Sequence, residues 1–196
     1  MTIKIGINGM GRIGRMVVRA IVENNYKNLE IKHINNRSNS EVSTLLLKND
    51  SIHGKFNADL SYEKDSISIN KKKISFSQET NIENIKWEKL GVDIVFECTG
   101  KFNSKDKLIP HIKNGAKKVI VSAPCKSSDK TIVYGVNENT LNKNDQIISA
   151  ASCTTNCLAP VVNVIHNDFE IEKGFMTTIH AFTSDQRILD NSHKDP

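Results

Sequence analysis

The sequence predicts an α/β protein built on a doubly wound, mostly parallel sheet. Short apolar runs typical of strands alternate along the chain with segments whose apolar residues recur at helical spacing. A glycine-rich turn joins the first such strand to the first such helix. A later strand-to-helix turn places a cysteine among small hydroxyl side chains. The first two observations predict the fold, and the third indicates where chemistry is to be sought.

Composition and charge limit the classes of function. The chain has 196 residues, of which 38% are hydrophobic and 25% charged, as is ordinary for a globular protein of one or two domains. The formal net charge of +5 suits a phosphorylated substrate or cofactor. Lysines 71–73 lie between two alternating segments, so we interpret them as a solvated hairpin tip. Arginines and interleaved aromatic residues are missing there, and we expect no nucleic-acid partner.

The sequence also argues against membrane, disulfide and metal chemistry. We find no apolar segment long enough to span a bilayer and no secretory signal, so we expect a cytoplasmic protein with no membrane contact. The cysteines are therefore expected to be reduced, and none has zinc-site spacing with a histidine, so we expect no metal. They are Cys98, Cys125, Cys153 and Cys157.

The first strand, residues 2–8, leads into the motif G-x-G-x-x-G at residues 9–14. Gly9 allows a tight turn, Gly11 lets the backbone approach a pyrophosphate, and Gly14 lets helix and strand pack closely. The pyrophosphate would then lie at the helix N-terminus. This context predicts a Rossmann-type dinucleotide site, with a plain tight turn as the alternative. The helix face that follows is predicted from Met16, Val17, Ala20 and Ile21.

The second strand, residues 29–35, ends where an acidic residue normally holds the adenosine ribose. The position is occupied by Asn36, followed by Arg37 and Ser38. A carboxylate would repel a 2′-phosphate, whereas an arginine and a serine favour one. We therefore hypothesise that the site accepts NADP. The alternative is that Asn36 still binds the ribose while Arg37 points to water.

The middle of the chain continues the alternation. We predict a helix over residues 40–48 with Ser40 as a possible cap, and a loop over residues 50–56. Residues 66–69 and 73–77 predict an antiparallel hairpin. A helix is expected over residues 104–113, and the remaining strands over residues 93–98, 116–122, 131–136 and 147–148.

The turn at residues 151–157 follows an apolar strand and precedes apolar residues with helical spacing at residues 158–166. Cys153 is therefore expected near a helix N-terminus, where the dipole favours a thiolate and makes a nucleophile. A buried structural thiol is the alternative. Residues 174–185 alternate like a strand and carry His180, which is either a satisfied structural histidine or the base that pairs with Cys153.

Taken together, these motifs resemble the phosphorylating glyceraldehyde-3-phosphate dehydrogenase family. The resemblance extends from Ile5 to Asp195 and is specific because several long motifs occur in the right order. The motifs lie at residues 7–15, 50–56, 97–100, 135–137, 151–160 and 177–180. It implies a Rossmann domain over residues 1–151, followed by the start of an α+β catalytic domain over residues 152–196.

The resemblance implies oxidative phosphorylation of glyceraldehyde 3-phosphate to 1,3-bisphosphoglycerate. Cys153 would form the thiohemiacetal and thioester, and His180 would act as the base. Ser152, Thr154 and Thr183 would bind the phosphate groups of the aldehyde and of inorganic phosphate. NAD or NADP would contact Asn8, Gly9, Met10, Gly11, Arg12, Ile13, Asn36, Arg37, Thr99, Gly100 and Ser122.

The family also implies a glycolytic homotetramer and a longer chain, so we expect residues 1–196 to be an N-terminal portion. Ser192 stands where many NAD-using members have proline, which favours NADP together with Asn36 and Arg37. Two alternatives remain open at this point. One is a nucleotide-binding fragment without turnover, and the other is an erythrose-4-phosphate dehydrogenase-like enzyme.

Overall fold

The computed structural model describes residues 2–181 of the chain, which form eleven strands and four α-helices. The strands are β1 (Ile3–Asn8), β2 (Leu29–Asn35), β3 (Asn49–Asp50), β4 (Gly54–Lys55), β5 (Leu60–Glu63), β6 (Ser66–Ile69), β7 (Lys72–Ser77), β8 (Ile94–Glu97), β9 (Lys118–Val121), β10 (Lys130–Thr131) and β11 (Ile147–Ser149). The helices are α1 (Arg12–Glu23), α2 (Ser40–Lys48), α3 (Lys105–Lys113) and α4 (Cys153–Phe169). Two 3-10 helices span Ile82–Asn84 and Glu138–Thr140.

Nine strands form one sheet in the order β10-β11-β9-β8-β1-β2-β7-β6-β5. All pairs from β10 through β7 are parallel, and only the pairs among β5, β6 and β7 are antiparallel. This confirms the predicted doubly wound, mostly parallel sheet. The strand order reverses at β1, which pairs with β2 on one side and β8 on the other. A reversal of this kind leaves a crevice at the carboxyl ends of the strands.

The buried apolar residues form two clusters along the sheet. One cluster includes Ile5, Ile7, Val18 and Ile34 and lies between α1 and the sheet. The other includes Val95, Leu108, Val119 and Trp87, the only tryptophan of the chain, and lies under α3. Burial of these side chains is the main favourable term that holds the helices onto the sheet.

Helix α1 buries Gly14, Val18 and Ile21, which recur at helical spacing, whereas Ala20 of the predicted face is exposed. The same face carries Arg19, which is 3% exposed and donates to the Leu47 and Gly54 carbonyl oxygens, both at 2.9 Å. Its guanidinium also lies 5.1 Å from the Phe56 ring centroid. These bonds attach the antiparallel pair β3–β4 to α1. The predicted loop at residues 50–56 therefore includes part of a short hairpin.

Other predictions differ from the structure in identifiable ways. The α2 cap is Asn39, whose side chain accepts from the Val42 N–H at 2.9 Å, whereas the hydroxyl of Ser40 is buried and donates to the Glu63 carbonyl. The strand predicted over residues 131–136 is paired only at Lys130–Thr131. Helix α4 begins at Cys153, five residues before the predicted apolar segment.

Residues 174–181 form no strand in the structure, contrary to the prediction. A strand needs a hydrogen-bonded neighbour, and within residues 2–181 none pairs with this segment. The rest of that predicted strand, residues 182–185, lies outside the described residues. Within the described part of the chain, no helix combines the length and the apolar character that crossing a membrane requires.

The close packing of α1 on the first turn predicts unequal effects of two glycine substitutions. We expect Gly14→Ala to lower the free energy of unfolding by about 1–3 kcal/mol or more. The reason is that a Cβ at Gly14 would lie 1.9 Å from the Gly9 carbonyl oxygen. Gly11→Ala is the matched control, because a Cβ there meets no atom within 4 Å. Its expected cost is below about 1 kcal/mol. Urea unfolding of both variants measures the difference, and equal costs would contradict this packing.

Candidate active site

The first turn brings backbone N–H groups to the carboxyl edge of the sheet. Gly9 adopts φ +98°, a conformation that favours glycine, and its N–H donates to the Asn35 carbonyl at 2.8 Å. Gly11 then caps α1 without a side-chain hydrogen bond, and no acidic residue occupies the first turn of the helix. By contrast, α2 and α4 are both capped by a side chain. The positive end of α1 is therefore open to an anion.

A groove of about 270 Å³ lies beside this turn. It is lined by residues that end or follow β1, β2, β7 and β8, which are neighbours in the sheet. Its residues are Asn8, Gly9, Gly11, Asn35, Asn36, Arg37, Glu79, Thr80, Ile82, Cys98, Thr99, Lys101 and Phe102. The open space at Gly11 and the uncapped α1 N-terminus fit the pyrophosphate of a dinucleotide.

Six of the residues predicted from sequence to bind the dinucleotide line this groove: Asn8, Gly9, Gly11, Asn36, Arg37 and Thr99. The other five do not line it. Met10 is 2% exposed, so its side chain faces the core, and Gly100 is exposed with φ +71°. Ser122 is half-buried and follows β9, where its N–H donates to the Glu97 carbonyl.

Arg12 and Ile13 occupy the first turn of α1 and are the remaining two of these residues. The Arg12 guanidinium lies 3.0 Å from the Asp50 carboxylate, so it faces the β3–β4 hairpin. The His53 N–H, and then the Ile52 N–H, donate to the Asp50 carboxylate and hold its pKa below the usual range. The His53 ring and the Arg12 charge lower this pKa further, whereas burial opposes the shift. Asp50 is therefore a charged partner that orients Arg12. Sequence reasoning missed this role, although Asp50 begins the motif at residues 50–56.

Asn36, the residue in the usual acidic position, uses both ends of its amide. Its Oδ1 accepts from the Met10 N–H at 3.2 Å, and its Nδ2 donates to the Ser43 hydroxyl at 3.0 Å. Asn36 therefore connects the glycine turn to α2. Arg37 is exposed on the groove wall next to it. The end of β2 thus contributes a cation and no carboxylate to the groove, whereas Glu79, which follows β7, also lines it.

Several groove residues were missed by sequence reasoning. Glu79 and Thr80 follow β7, and Lys101 and Phe102 follow β8, so all four lie just past the carboxyl end of a parallel strand. The rule that ligands bind outside the carboxyl ends of such strands would have pointed to them. The sequence did not predict that β7 lies next to β2, because this pairing is evident only from the order of strands in the sheet.

Cys153 is the first residue of α4, at the same edge of the sheet as the groove. Its helix follows β11, which pairs with β9. Ser152 caps this helix, and its Oγ accepts from the Thr155 N–H at 3.0 Å. Ala151, just before the cap, adopts φ +61°, which costs a non-glycine residue conformational energy. The strained turn and the cap together fix where α4 begins, and with it the thiol.

The thiol of Cys153 meets the imidazole of His180, as the sequence suggested. The Cys153 Sγ lies 3.1 Å from the His180 Nε2, and the His180 Nδ1 lies 2.5 Å from the Ala181 carbonyl oxygen. The hydrogen bond from His180, and then those from Thr154, lower the pKa of Cys153. The Ala181 carbonyl, and then the sulfur, raise the pKa of His180. Both shifts favour a thiolate–imidazolium pair.

The pair borders an open cavity of about 440 Å³ lined by α4 and residues 176–181. Thr154 lines this cavity, and its role in binding substrate or phosphate stays a prediction. Ser152 does not line it, and its hydroxyl lies 2.7 Å from the Thr155 hydroxyl. Thr183 and Ser192 lie outside the described residues.

The four cysteines are free thiols and differ sharply in environment. Cys98 is buried, and desolvation raises its pKa to about 12. Burial, and then Asp129, also raise the pKa of Cys125. The pKa of Cys153, by contrast, is lowered, chiefly by its hydrogen bond with His180. Among residues 2–181 no group of three or more His, Cys, Asp or Glu side chains is arranged to hold a metal ion.

Comparison with protein families gives two matches. The family model described as "Glyceraldehyde 3-phosphate dehydrogenase, NAD binding domain" matches residues 3–105. The model described as "Glyceraldehyde 3-phosphate dehydrogenase, C-terminal domain" matches residues 152–196. The first match covers β1 through the start of α3, and the second begins at the cap of α4.

Curated relatives are similar along the whole chain. Glyceraldehyde-3-phosphate dehydrogenase of Cereibacter sphaeroides is 49% identical over 195 residues, covering 100% of this chain and 58% of the relative. The protein of the same name from Geobacillus stearothermophilus is 47% identical over 196 residues, with the same coverage. The chain thus spans somewhat more than half the length of these relatives.

The Cys153–His180 contact predicts the pH dependence of thiol alkylation. The lowered pKa of Cys153 keeps the thiolate present as pH falls below 9.0, the ordinary thiol value. The raised pKa of His180 keeps the imidazolium present above 6.5. Between these limits we expect iodoacetamide to label Cys153 faster than Cys157, and His180→Ala to slow labelling of Cys153 alone. Peptide mass spectrometry measures both rates, and an unchanged rate in His180→Ala would contradict the pairing.

Proposed function

Because the chain belongs to the glyceraldehyde-3-phosphate dehydrogenase family, we propose that it carries the nucleophile and the cofactor site of a phosphorylating aldehyde dehydrogenase. The proposed reaction converts glyceraldehyde 3-phosphate and inorganic phosphate to 1,3-bisphosphoglycerate. The observation that supports it best is the 3.1 Å contact between the Cys153 Sγ and the His180 Nε2 at the N-terminus of a capped helix. An acyl-transfer dehydrogenase needs such a thiolate beside a proton acceptor.

In the first step the Cys153 thiolate attacks the aldehyde carbon. A C–S bond forms, and the electron pair of the C=O bond moves to oxygen. The imidazolium of His180 lies next to the sulfur, so it is suited to stabilise the developing oxyanion and to supply its proton. The product is a thiohemiacetal, with His180 now neutral.

In the second step the neutral His180 takes the hydroxyl proton back as the C–H bond breaks, which leaves a thioester on Cys153. The bound dinucleotide supplies the hydride acceptor for this oxidation. Inorganic phosphate then attacks the thioester carbon, and the C–S bond breaks to release the acyl phosphate and the Cys153 thiolate. Thr154, which lines the cavity beside the pair, is proposed to bind a phosphate group through its hydroxyl or N–H.

We propose that the dinucleotide groove accepts NADP as well as NAD. Asn36 replaces the usual acid, and its amide is committed to Met10 and Ser43. The exposed Arg37 lies on the groove wall beside it and is suited to bind a 2′-phosphate. By family resemblance we also propose a cytoplasmic, glycolytic homotetramer. Light scattering tests the oligomeric state, and a monomer mass would contradict the tetramer.

A second candidate function is dinucleotide binding without turnover. Cys153 and His180 are both exposed, and residues 171–181 pair with no strand in the described part of the chain. Water screens the charges of an exposed thiolate–imidazolium pair. An exposed pair also leaves a reacting aldehyde in contact with water. This observation favours a chain that binds the cofactor but turns over slowly by itself.

The activity is tested by following NADH or NADPH formation that depends on both aldehyde and phosphate. The assay uses the 196-residue chain and a chimera in which the Geobacillus stearothermophilus relative supplies the remaining length. We expect turnover in the chimera, and at least about a thousandfold loss in its Cys153→Ser variant. Cys157→Ser is the matched control and is expected to keep most of the activity. Equal losses in the two variants would show that the wrong nucleophile was chosen.

Cofactor preference is tested by calorimetric titration of the chain with NAD and NADP. We expect Arg37→Ala to weaken NADP binding by about tenfold or more while NAD binding changes little. The reason is that only NADP carries the phosphate that the guanidinium would bind. Lys27→Ala, far from the groove, is the control for net charge. NADP affinity that is unaffected by Arg37→Ala would place this guanidinium in solvent.

A further inference from the structure

A row of polar side chains crosses four neighbouring strands directly beneath the dinucleotide groove. Glu97, Asn8, Asn35 and Ser77 end β8, β1, β2 and β7, and they are paired with one another in register. Glu97 is 1% exposed, Asn8 1% and Asn35 4%. Polar groups are costly to bury unless they are hydrogen-bonded, so the row must be fully connected.

The Glu97 carboxylate accepts four hydrogen bonds. Its Oε1 accepts from the N–H of Thr99 at 2.8 Å and from the Thr99 hydroxyl at 2.5 Å. Its Oε2 accepts from Asn8 Nδ2 at 2.6 Å and contacts His111 Nε2 at 3.2 Å. Each oxygen therefore meets two partners, which occupy the acceptor positions of an ionised carboxylate.

The proton on His111 is fixed by the only tryptophan of the chain. Trp87 Nε1–H is a donor only, and it lies 2.9 Å from His111 Nδ1. The Nδ1 must therefore accept, so the proton of the neutral imidazole is on Nε2 and points to Glu97. His111 and Trp87 are both completely buried, which protects this arrangement from water.

Hydrogen bonds on the other side of Glu97 also point towards it. The Ser77 hydroxyl donates to Asn35 Oδ1 at 2.7 Å, Asn35 Nδ2 donates to Asn8 Oδ1 at 2.8 Å, and Asn8 in turn donates to Glu97. Two chains of donors thus converge on one buried anion. Because each bond polarises the next, such chains stabilise the charge more than isolated bonds do.

This arrangement commits side chains that line the groove. The amide of Asn8 donates from Nδ2 to Glu97 and accepts at Oδ1 from Asn35, and its backbone carbonyl accepts from the Cys98 N–H at 2.8 Å. Asn8 directly precedes Gly9, and Glu97 is two residues before Thr99, so Glu97 touches the base of both turns that border the groove. One carboxylate therefore connects the two turns.

We propose that Glu97 is a positioning residue for the dinucleotide, whose buried negative charge holds the Gly9 and Thr99 turns in the conformation that receives the cofactor. His111 and Trp87 hold the charge from below. The inference rests on the dinucleotide binding proposed above. It adds that this binding depends on two residues that do not line the groove, His111 and Trp87.

The test measures NAD affinity of the 196-residue chain by calorimetry. Glu97→Gln keeps the shape but places an NH₂ group against existing donors in either orientation, so we expect affinity to fall by about tenfold. Glu23→Gln removes the same charge from an exposed site at the end of α1 and is expected to leave affinity unchanged. Circular dichroism verifies that each variant is folded.

A pair of variants at His111 separates positioning from packing. Glutamine can accept from Trp87 and donate to Glu97 at once, so His111→Gln is expected to retain the parent affinity. His111→Leu fills similar space without either bond and is expected to weaken NAD binding several-fold. A folded His111→Leu chain with the affinity of the parent would overturn the proposal, as would a folded Glu97→Gln chain that binds like Glu23→Gln.

The indole N–H of Trp87 gives an independent readout, because a single tryptophan gives a single indole resonance in a ¹H–¹⁵N spectrum. We expect saturating NAD to shift this resonance, although Trp87 is buried away from the groove. A resonance unmoved by saturating NAD would overturn the inference even if the variants fail to fold. A parent chain that binds no NAD would contradict the proposed function as well. Parent-like NAD binding by every variant would contradict only the role of Glu97.

Discussion

The parallel pairing of β1 with both β2 and β8 is the constraint on which the rest of the structure depends. Because both neighbours run in the same direction as β1, the carboxyl ends of all three strands meet at one edge. The uncapped N-terminus of α1, the groove and the helix that carries Cys153 all lie at this edge. Residues far apart in sequence are thereby brought to the same edge of the sheet.

Two negative charges near this edge of the sheet are stabilised in different ways. Glu97 is removed from water, so its carboxylate depends on donors held by neighbouring strands and on His111. Cys153 is exposed, so its thiolate depends on one contact with His180 and on its place at a helix N-terminus. The first arrangement is rigid and suits a cofactor site. The second leaves the sulfur accessible to a substrate.

The sequence was sufficient where a local pattern decides the structure. The period of the apolar residues located β2 and α2, and the glycine spacing located the first turn. Patterns failed where the outcome depends on partners distant in sequence. Ser40 resembles a cap but donates to Glu63, and residues 174–181 alternate like a strand but have no strand beside them in the described chain. The polar row could not be predicted from the sequence for the same reason, because only the sheet register aligns Asn8 with Glu97.

The central claim is that the dinucleotide binds at the carboxyl edge of the sheet. A larger cavity of about 620 Å³ lies at the opposite end, beside Tyr26 and Lys72, and offers a direct contrast. Backbone ¹H–¹⁵N spectra recorded during titration with NAD distinguish the two. We expect shifts at Gly9, Gly11 and Thr99 and none around Tyr26. Shifts confined to the neighbourhood of Tyr26 and Lys72 would contradict the account.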